Sequence, residues 1–411
     1  MKICYIAIGS ELLKGRITNT NLTKIGAFLR EQGYDLHKAL EIQDTKGAIL
    51  DALQAELAGH DVIIMSGGLG PTADDITKKT LAAFFGVEMY EHAPTVAGLQ
   101  QMFERRGREL TDRNREQALV PTNCEVLPNK MGTAPGMLFR HEGKILISMP
   151  GVPFEMLYLL ENEVLPVLKK AFPTEYIQHH ILRIWGIFES HLADKIAHIE
   201  NTFPPEMNIS YLPRMDGIWL EMTIKGAEKD KEMLEQTLAS YVSQIRECIS
   251  KYVYSEGKMP LEEEINHILR HKKQTLAIAE SITGGAIAAK LVSISGASDY
   301  LKGSVTAYYT EIKIKVLGVS ADLIAEKGVA SEEVAREMAE GVRILLGADI
   351  GLATTGYSEA PEKGKDAFVC YGYADANGRD SWRENFFYTR DLNIQRAAER
   401  ALIGLLRKVK E

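Results

Sequence analysis

One short segment, Asp61–Ser66 (DVIIMS), limits the possible folds more than any other part of the chain. Its apolar residues are consecutive rather than alternating, so we predict a strand that is buried on both faces. Apolar runs at Ile3–Ile8 and Asp35–Ile42 predict two more strands, and helix-like patterns lie between the three runs, one of them after a capping Thr45. Such alternation indicates a parallel sheet with helices on both faces.

A second alternating series begins at Leu261. We predict buried strands at Leu276–Ala279 and Ile350–Thr354, and helices at Ser331–Leu346 and Asn393–Val409. The segment between the two series has a different pattern and is typical of a small α+β insert. The sequence therefore predicts an α/β protein of three domains, which we place at residues 1–165, 166–256 and 257–411.

Composition narrows the class of function. The 411 residues carry a formal net charge of −8, which argues against a basic surface for nucleic acid. The sequence contains no apolar run of about 18 residues, so we expect no membrane span, and its first residues do not resemble a signal peptide. The absence of a CxxC pair argues against a zinc site and suits a reducing, cytoplasmic location. The four cysteines are Cys4, Cys124, Cys248 and Cys370.

A glycine-rich turn with two acidic residues, Ser66–Asp75 (SGGLGPTADD), follows the buried strand. Glycines let the backbone approach an anion, and paired carboxylates can hold a hard divalent cation that bridges to phosphate. The alternative is a tight turn in which Asp74 or Asp75 is the N-cap of the next helix. Four other features could join this site because they end strands or form turns: Glu11, Asp44, Gly132–Gly136 and Pro150–Pro153.

A serine at a strand-to-helix turn stands in Ala279–Gly285 (AESITGG). Ser281 could be an exposed nucleophile, with helix-start amides that stabilise an oxyanion. The alternative is helix capping by Ser281 or Thr283, with the glycines present for close packing. Lys313 could serve as the base for Ser281 if burial lowers its pKa, whereas the alternative is a lysine on the surface of a helix.

The first part of the chain, residues 1–165, resembles the N-terminal domain of the CinA family, which is similar to the three-layer molybdopterin-binding fold. The matching runs are GSELLKGRITNTN, SGGLGPTADDIT, NREQALVP, LPNKMGTAPG and MPGVPFEM. The resemblance implies metal-dependent hydrolysis of ADP-ribose to AMP and ribose 5-phosphate. By the same match, Asp74 and Asp75 carry the divalent metal or activate water. The residues implied to hold phosphate are Gly67, Gly68, Gly70 and Thr72.

The last part, residues 257–411, resembles the nicotinamide-nucleotide amidohydrolase domain of the same family. The matching runs are AESITGG, GSVTAYYTEIKIKVLGV, GVASEEVAREMAEGV and TTG. The resemblance implies amide hydrolysis of nicotinamide mononucleotide without a cofactor, with Ser281 as nucleophile, Lys313 as base and Tyr308 as an assisting residue. It also implies a homodimer. The residues expected around the substrate are Thr283, Gly284, Thr355 and Arg390, the last of these on the phosphate.

The sequence departs from the family pattern after Gly356. A loop rich in small residues is replaced by Tyr357–Lys363 (YSEAPEK), in which Glu359 adds negative charge near the expected phosphate. We therefore expect deamidation of nicotinamide mononucleotide to be weak or absent. The competing interpretation of the whole chain is a regulatory protein that binds a nucleotide or molybdopterin without turnover. The middle segment resembles the family's connecting domain, and we expect Arg183 and its neighbours to be structural there.

Overall fold

The structure is a computed structural model, and it describes residues 1–72, 74–361 and 365–410. Two compact units are present, Met1–Gln178 with Lys225–Lys231, and His179–Ile224 with Glu232–Glu411. The domain bounds near residues 165 and 256 stay predictions. Among the described residues, no helix has both the length and the apolar character that a membrane span needs.

The first unit is built on a six-stranded sheet in the order β2-β1-β3-β8-β7-β6. The first four of these strands are parallel, and β7 and β6 are antiparallel additions. The strands of this sheet are β1 (Ile3–Ile8), β2 (Leu36–Ile42), β3 (Val62–Ser66), β6 (Glu125–Leu127), β7 (Gly136–His141) and β8 (Lys144–Met149). A separate two-stranded sheet is formed by β4 (Met89–Glu91) and β5 (Leu119–Pro121). The helices of the first unit are α1 (Ser10–Leu13), α2 (Thr20–Glu31), α3 (Lys46–Gly59), α4 (Thr77–Phe85), α5 (Ala93–Arg105), α6 (Asp112–Arg115), α7 (Pro153–Leu159) and α8 (Leu165–Ala171).

Both faces of this sheet are covered, as the consecutive apolar residues predict. Along β1, Ile3 and Tyr5 face the core beneath α2 and α7, whereas Cys4 and Ile6 face the core beneath α3. Every residue of β3 is buried. Thr45 caps α3 by accepting a hydrogen bond from the backbone N–H of Ala48, which confirms the predicted cap. The three strands and two helices predicted in the first sixty-six residues are thus present.

The middle of the chain forms a four-stranded sheet in the order β10-β11-β9-β12. Its members are β9 (Tyr176–Ile184), β10 (Met207–Arg214), β11 (Gly217–Gly226) and β12 (Val253–Glu256), with helices α9 (Glu189–Glu200) and α10 (Lys231–Ile249). Arg183 at the end of β9 is buried, and its guanidinium donates to the carboxylate of Asp216, the hydroxyl of Tyr254 and the carbonyl of Met259. These contacts give Arg183 the structural role that we expect for it.

The last sheet has the order β14-β13-β15-β16-β17, with β14, β13 and β15 parallel and the other two antiparallel. The predicted strands and helices of this part are confirmed, and Ser331 caps its helix by accepting from the N–H of Val334. The strands are β13 (Leu276–Glu280), β14 (Leu301–Thr306), β15 (Ile350–Tyr357), β16 (Ala367–Ala374) and β17 (Arg379–Phe386). The helices are α11 (Leu261–Lys272), α12 (Ala286–Val292), α13 (Thr310–Lys315), α14 (Ala321–Lys327), α15 (Glu332–Leu346) and α16 (Arg390–Lys410).

Candidate functional sites

The glycine-rich turn of the first unit begins directly at the end of β3. Gly67 has a φ of +110°, and a Cβ built on it would lie 2.2 Å from the carbonyl oxygen of Ile8 at the end of β1. Only glycine therefore fits where the turn crosses the neighbouring strand. The Pro150–Pro153 loop lies against the same point, because Gly151 also packs on Gly67, and the Asn21 amide donates to the Gly151 carbonyl at 2.7 Å. The sheet edge thus brings β1, β3 and this loop together.

Asp75 closes the turn on itself. Its Oδ2 accepts hydrogen bonds from the backbone N–H of Thr72, at 2.9 Å, and from the Thr72 hydroxyl. Helix α4 starts at Thr77 with Ile76 in the N-cap position, which makes no side-chain cap bond. The alternative in which Asp74 or Asp75 caps this helix is therefore wrong. Ala73 lies outside the described residues.

A buried lysine, Lys78, stands one turn beyond these aspartates, and the sequence patterns did not single it out. Its ammonium donates to the backbone carbonyl of Gln117 at 2.7 Å, and the Gln117 side chain accepts from the hydroxyl of Thr133 at 2.6 Å. Burial lowers the pKa of Lys78 to about 8, although the Asp75 charge acts in the opposite direction. Through Lys78 the acidic turn is connected to two other family motifs.

Two cavities of the first unit lie beside the predicted residues. Glu11 and Ser66 line a cavity of about 140 Å³, together with Asn19 and Asn21. A larger cavity, of about 880 Å³, is lined by Gly132, Thr133 and the cationic Arg105 and Arg106. The carboxylate of Asp44 accepts a hydrogen bond from the hydroxyl of Ser10 at the start of α1.

The donor chemistry of Asp74 and Asp75 fits a hard divalent cation. Asp74 is exposed, and the Oδ1 of Asp75 takes no part in the two Thr72 bonds. Such cations take carboxylate oxygens and complete their shell with water and substrate phosphate. Within residues 1–72, 74–361 and 365–410, the one cluster of three ligand-type side chains is elsewhere, at Cys4, Glu56 and His60. Burial raises the pKa of the Cys4 thiol to about 12, and Glu56 is paired with Lys38.

The second candidate site is centred on a buried contact between Ser281 and Lys313. Ser281 follows β13, and its N–H donates to the Thr354 carbonyl of the adjacent β15. The Nζ of Lys313, which is 1% exposed, lies 2.9 Å from the Oγ of Ser281 and 2.7 Å from the carbonyl oxygen of Ala307. Burial lowers the pKa of Lys313 to about 8. The alternative of a surface lysine is therefore wrong.

Glu280, immediately before Ser281, has a role that the sequence did not reveal. It is completely buried, and its carboxylate accepts from the N–H groups of Gly285, Ile287 and Ala288 at 2.9, 3.1 and 2.9 Å. Neither Ser281 nor Thr283 caps α12, so the capping alternative is wrong. The amides at the start of α12 are also occupied, which corrects the expectation that they would stabilise an oxyanion. A glutamate between a buried strand and a helix start was the available signal.

The backbone N–H groups that remain for an oxyanion are those directly after Ser281. Within the part of the chain that the structure describes, the amides of Ile282 and Thr283 donate to no other protein group. The amide of Gly284 is used on the Ser281 carbonyl. Oxyanion holes are commonly built from such free donors beside the attacking atom.

Arg390 and Tyr308 form a second, more exposed cluster. The guanidinium of Arg390 donates to the Tyr308 hydroxyl at 3.1 Å and to the carboxylate of Glu359 at 3.3 Å. Tyr308 joins this cluster to the contact between Lys313 and Ser281, because its backbone carbonyl accepts from the Nζ of Lys313 at 3.4 Å. Its hydroxyl is engaged with Arg390 rather than with Ser281, which makes an orienting role more fitting than proton transfer.

The other predicted residues of this site make internal contacts. The hydroxyl of Thr283 is bonded to that of Thr354 at 2.8 Å, and the hydroxyl of Thr355 donates to the Val329 carbonyl at 2.9 Å. Thr283 and Thr355 are both buried, and their hydrogen bonds hold neighbouring strands and loops around Ser281. Gly284 has a φ of +61°, which suits the turn between β13 and α12.

Three family models match successive parts of the chain. They are described as a probable molybdopterin binding domain, over residues 4–170, a damage-inducible protein CinA KH domain, over residues 179–255, and a CinA C-terminal domain, over residues 258–409. A CinA-like protein of Cytophaga hutchinsonii is 38% identical over 410 residues, which covers 99% of this chain and 97% of that protein. The chain belongs to the CinA family. The resemblance and the α/β fold class predicted from the motifs are therefore confirmed.

Other relatives have the same family name. A CinA-like protein of Flavobacterium psychrophilum is 37% identical over 415 residues and covers all of this chain and 99% of that protein. A solved structure of the protein CinA from Thermoplasma acidophilum is 34% identical, with a TM-score of 0.37, and covers 41% of this chain and 96% of that one. The middle match identifies the α+β segment as the family's KH domain, which the sequence patterns did not recognise.

Proposed function

We propose that the second unit hydrolyses the carboxamide of a nicotinamide nucleotide or nucleoside to the acid and ammonia. The observation that carries this proposal is the contact of 2.9 Å between the Ser281 hydroxyl and the buried Lys313 amine. A lysine with a pKa of about 8 is neutral in a useful fraction of molecules near neutral pH. A neutral amine can donate two N–H bonds to the carbonyls of Ala307 and Tyr308, which leaves its lone pair for the Ser281 proton.

The reaction then has two half-steps. The Oγ of Ser281 attacks the amide carbon while its proton moves to Lys313, and the N–H groups of Ile282 and Thr283 are available to the resulting oxyanion. Collapse breaks the C–N bond, and the proton from Lys313 leaves with the amine as ammonia. Water then attacks the Ser281 ester, again with proton transfer to Lys313, which releases the acid and restores the serine.

For the first unit, we propose metal-dependent hydrolysis of the pyrophosphate of ADP-ribose to AMP and ribose 5-phosphate. The support is the tight glycine-rich turn at the sheet edge, followed by Asp74 and Asp75. A divalent cation, when bound there, would neutralise phosphate charge and polarise the phosphorus centre. Asp74 would be a ligand, and the amides of Gly68 and Gly70 would contact phosphate oxygens. The larger cavity, of about 880 Å³, is lined by Thr133, whose hydroxyl donates to Gln117 beside Lys78, and it offers Arg105 and Arg106 as cations for the rest of the substrate.

One assay panel tests both proposals. The full chain would be incubated with nicotinamide mononucleotide, nicotinamide riboside or ADP-ribose, with Mg²⁺, Mn²⁺ or Co²⁺ or with EDTA. We expect ammonia from at least one amide without metal, lost in Ser281→Ala, and AMP from ADP-ribose only with metal, lost when both aspartates become asparagine. If ammonia release persists in Ser281→Ala, the assignment of the nucleophile is wrong. If no metal supports AMP release, the hydrolase proposal for the first unit fails.

A second candidate function for the first unit is binding of a nucleotide or molybdopterin without turnover. The observation that favours it is that Asp75 is already bonded to Thr72 and has the Lys78 charge nearby, and both weaken its attraction for a cation. Calorimetric titration with ADP-ribose separates the two functions. Tight binding without AMP release under any of the three metals would support the binding protein and contradict the hydrolase.

A further inference from the structure

The charge of Arg390, the residue expected on the substrate phosphate, is already balanced within the chain. One side of its guanidinium donates to Glu359 and the other to the Tyr308 hydroxyl. Arg390 is 49% and Glu359 is 68% exposed in their side chains, so the pair stands at the open side of the site. A phosphate that bound Arg390 would therefore have to compete with the Glu359 carboxylate.

A buried asparagine fixes the backbone on both sides of this pair. The amide nitrogen of Asn393, which is 1% exposed, donates to the carbonyl of Ser358 and to that of Tyr388, both at 2.9 Å. The Asn393 side-chain oxygen accepts from the N–H of Tyr388. Ser358 directly precedes Glu359, and Tyr388 stands two residues before Arg390. The two charged side chains therefore project from positions that are anchored to one another, unlike most surface ion pairs, whose backbones are independent.

Two other side chains near Arg390, one from the altered loop and one from α16, contribute less. The ring of Tyr357 packs edge-on against Phe368 of β16, with centroids 5.5 Å apart, and so does not lie on Arg390. Asp391, next to Arg390, is bonded to the hydroxyl of Thr389. Glu362 and Lys363, the end of the loop, lie outside the described residues. Within the described residues of this loop, Glu359 is therefore the carboxylate that is placed to compete with a phosphate.

We propose that Glu359 makes the second site select a carboxamide without a phosphate, a nucleoside rather than a nucleotide. The proposal rests on the amidohydrolase function proposed above. A phosphate dianion would have to displace Glu359 from Arg390 and would then remain close to its negative charge. A sugar hydroxyl at the same position carries no charge and meets neither cost. The pair thus turns a phosphate-binding arginine into a neutral polar surface.

The experiment compares ammonia release by the full chain from nicotinamide riboside and from nicotinamide mononucleotide. We expect wild type to have the higher kcat/KM for the riboside. In Glu359→Gln, the ratio of kcat/KM for the mononucleotide to that for the riboside should rise about fivefold or more, since the competing charge is gone. Glu326→Gln, which removes an exposed carboxylate paired with Lys327 on its own helix, is the matched control and should leave the ratio unchanged. A wild-type preference for the mononucleotide that Glu359→Gln does not alter would overturn the proposal.

A binding measurement keeps the proposal testable if neither amide is hydrolysed, an outcome that would refute only the amidohydrolase function. Ribose 5-phosphate would be titrated into wild type, Glu359→Gln, Arg390→Gln and the double variant. We expect several-fold tighter binding in Glu359→Gln than in wild type, and no gain from Glu359→Gln when Arg390 is also replaced. Equal affinities of wild type and Glu359→Gln would show that Glu359 does not oppose phosphate.

Discussion

The Nζ of Lys313 lies 2.9 Å from the Oγ of Ser281, although 32 residues separate them in the chain. The parallel sheet makes this contact possible. Ser281 follows β13 and Lys313 lies in α13, shortly after β14, and β13 and β14 are adjacent parallel strands. Because such strands end at the same sheet edge, two residues that are distant in sequence come into contact, as the proposed nucleophile and base require.

Ammonia release should depend on pH in the manner of a neutral lysine base. Lys313 must lose its proton to act, and its pKa is lowered to about 8. We expect kcat/KM to rise about tenfold from pH 7 to pH 9 and then to level off. Lys313→Met should lower kcat/KM by roughly 10²- to 10⁴-fold and abolish this rise. An unchanged profile in Lys313→Met would show that another group titrates.

Replacing Glu280 should destabilise the second unit. In Glu280→Gln the three N–H groups of Gly285, Ile287 and Ala288 lose a charged acceptor in a completely buried place. Bonds to charged groups contribute about 1.5–3 kcal/mol each, and the glutamine oxygen can retain one of them, so we expect a loss of at least about 2 kcal/mol. Urea unfolding followed by circular dichroism measures it. An equal midpoint for Glu280→Gln and wild type would contradict the role of Glu280 as the cap of α12.

Asp74 and Asp75 should differ in what they do for the fold. Asp74 is exposed, and a hydrogen bond with Thr72 holds its pKa below the ordinary value, so Asp74→Asn should lower AMP release with a smaller change in the urea midpoint than Asp75→Asn. Asp75→Asn should lower AMP release and also weaken the two bonds from Thr72, with a loss of about 1 kcal/mol. Parallel assays of turnover and unfolding separate the two effects. If Asp74→Asn retained full AMP release with metal, its proposed role as a ligand would be wrong.

The pair of Asp216 and Arg183 should make stability depend on acid pH. Burial acts to raise the pKa of Asp216, but hydrogen bonds from Tyr254, Arg183 and Trp219 outweigh it and hold the pKa below its ordinary value. A carboxyl with a lowered pKa contributes stability above its unfolded pKa, near 4, and loses it as the pH falls through the folded value. Asp216→Asn should therefore cost about 3 kcal/mol at pH 7.

The difference between wild type and Asp216→Asn should begin to narrow near pH 4, where unfolded wild type takes up a proton, and should narrow further as the folded carboxyl becomes protonated at lower pH. Urea unfolding at pH 7, 5 and 3 measures this difference. Asp194→Asn, an exposed substitution on α9, is the control and should follow wild type at each pH. A constant difference across this range would mean that the charge of Asp216 is not what stabilises the network.

The sequence was sufficient to predict the main strands and helices and to place the motifs at their ends. Consecutive apolar residues predicted β1 and β3, and the residues Thr45 and Ser331 predicted the start of their helices, because these signals are local. Ser281 was a candidate for the same reason, since it stands between a buried strand and a helix. Each of these features depends on neighbours within a few residues.

The rest depended on burial and on contacts between distant segments. Lys78 and Lys79 are adjacent, yet the first is buried and the second is exposed. Which of the two is buried depends on which face of α4 packs against the rest of the unit. The position of Glu280 between a buried strand and a helix start is a local signal, but only the folded structure shows that three amides surround its carboxylate. The charge pairing of Glu359 with Arg390 joins residues 31 positions apart. Such relations are set by the tertiary packing, which short patterns do not encode.

The two hydrogen bonds that Asn393 donates to the carbonyls of Ser358 and Tyr388 affect how the ligand preference of this site can change in evolution. The amide holds the backbone on both sides of the ion pair, whereas the side chain of Glu359 is mostly exposed. A single change at that position can therefore alter the charge that a ligand meets at almost no cost in stability. A lineage with this anchor could exchange one class of small molecule for another by point mutation, and the scaffold would pass through the transition unchanged.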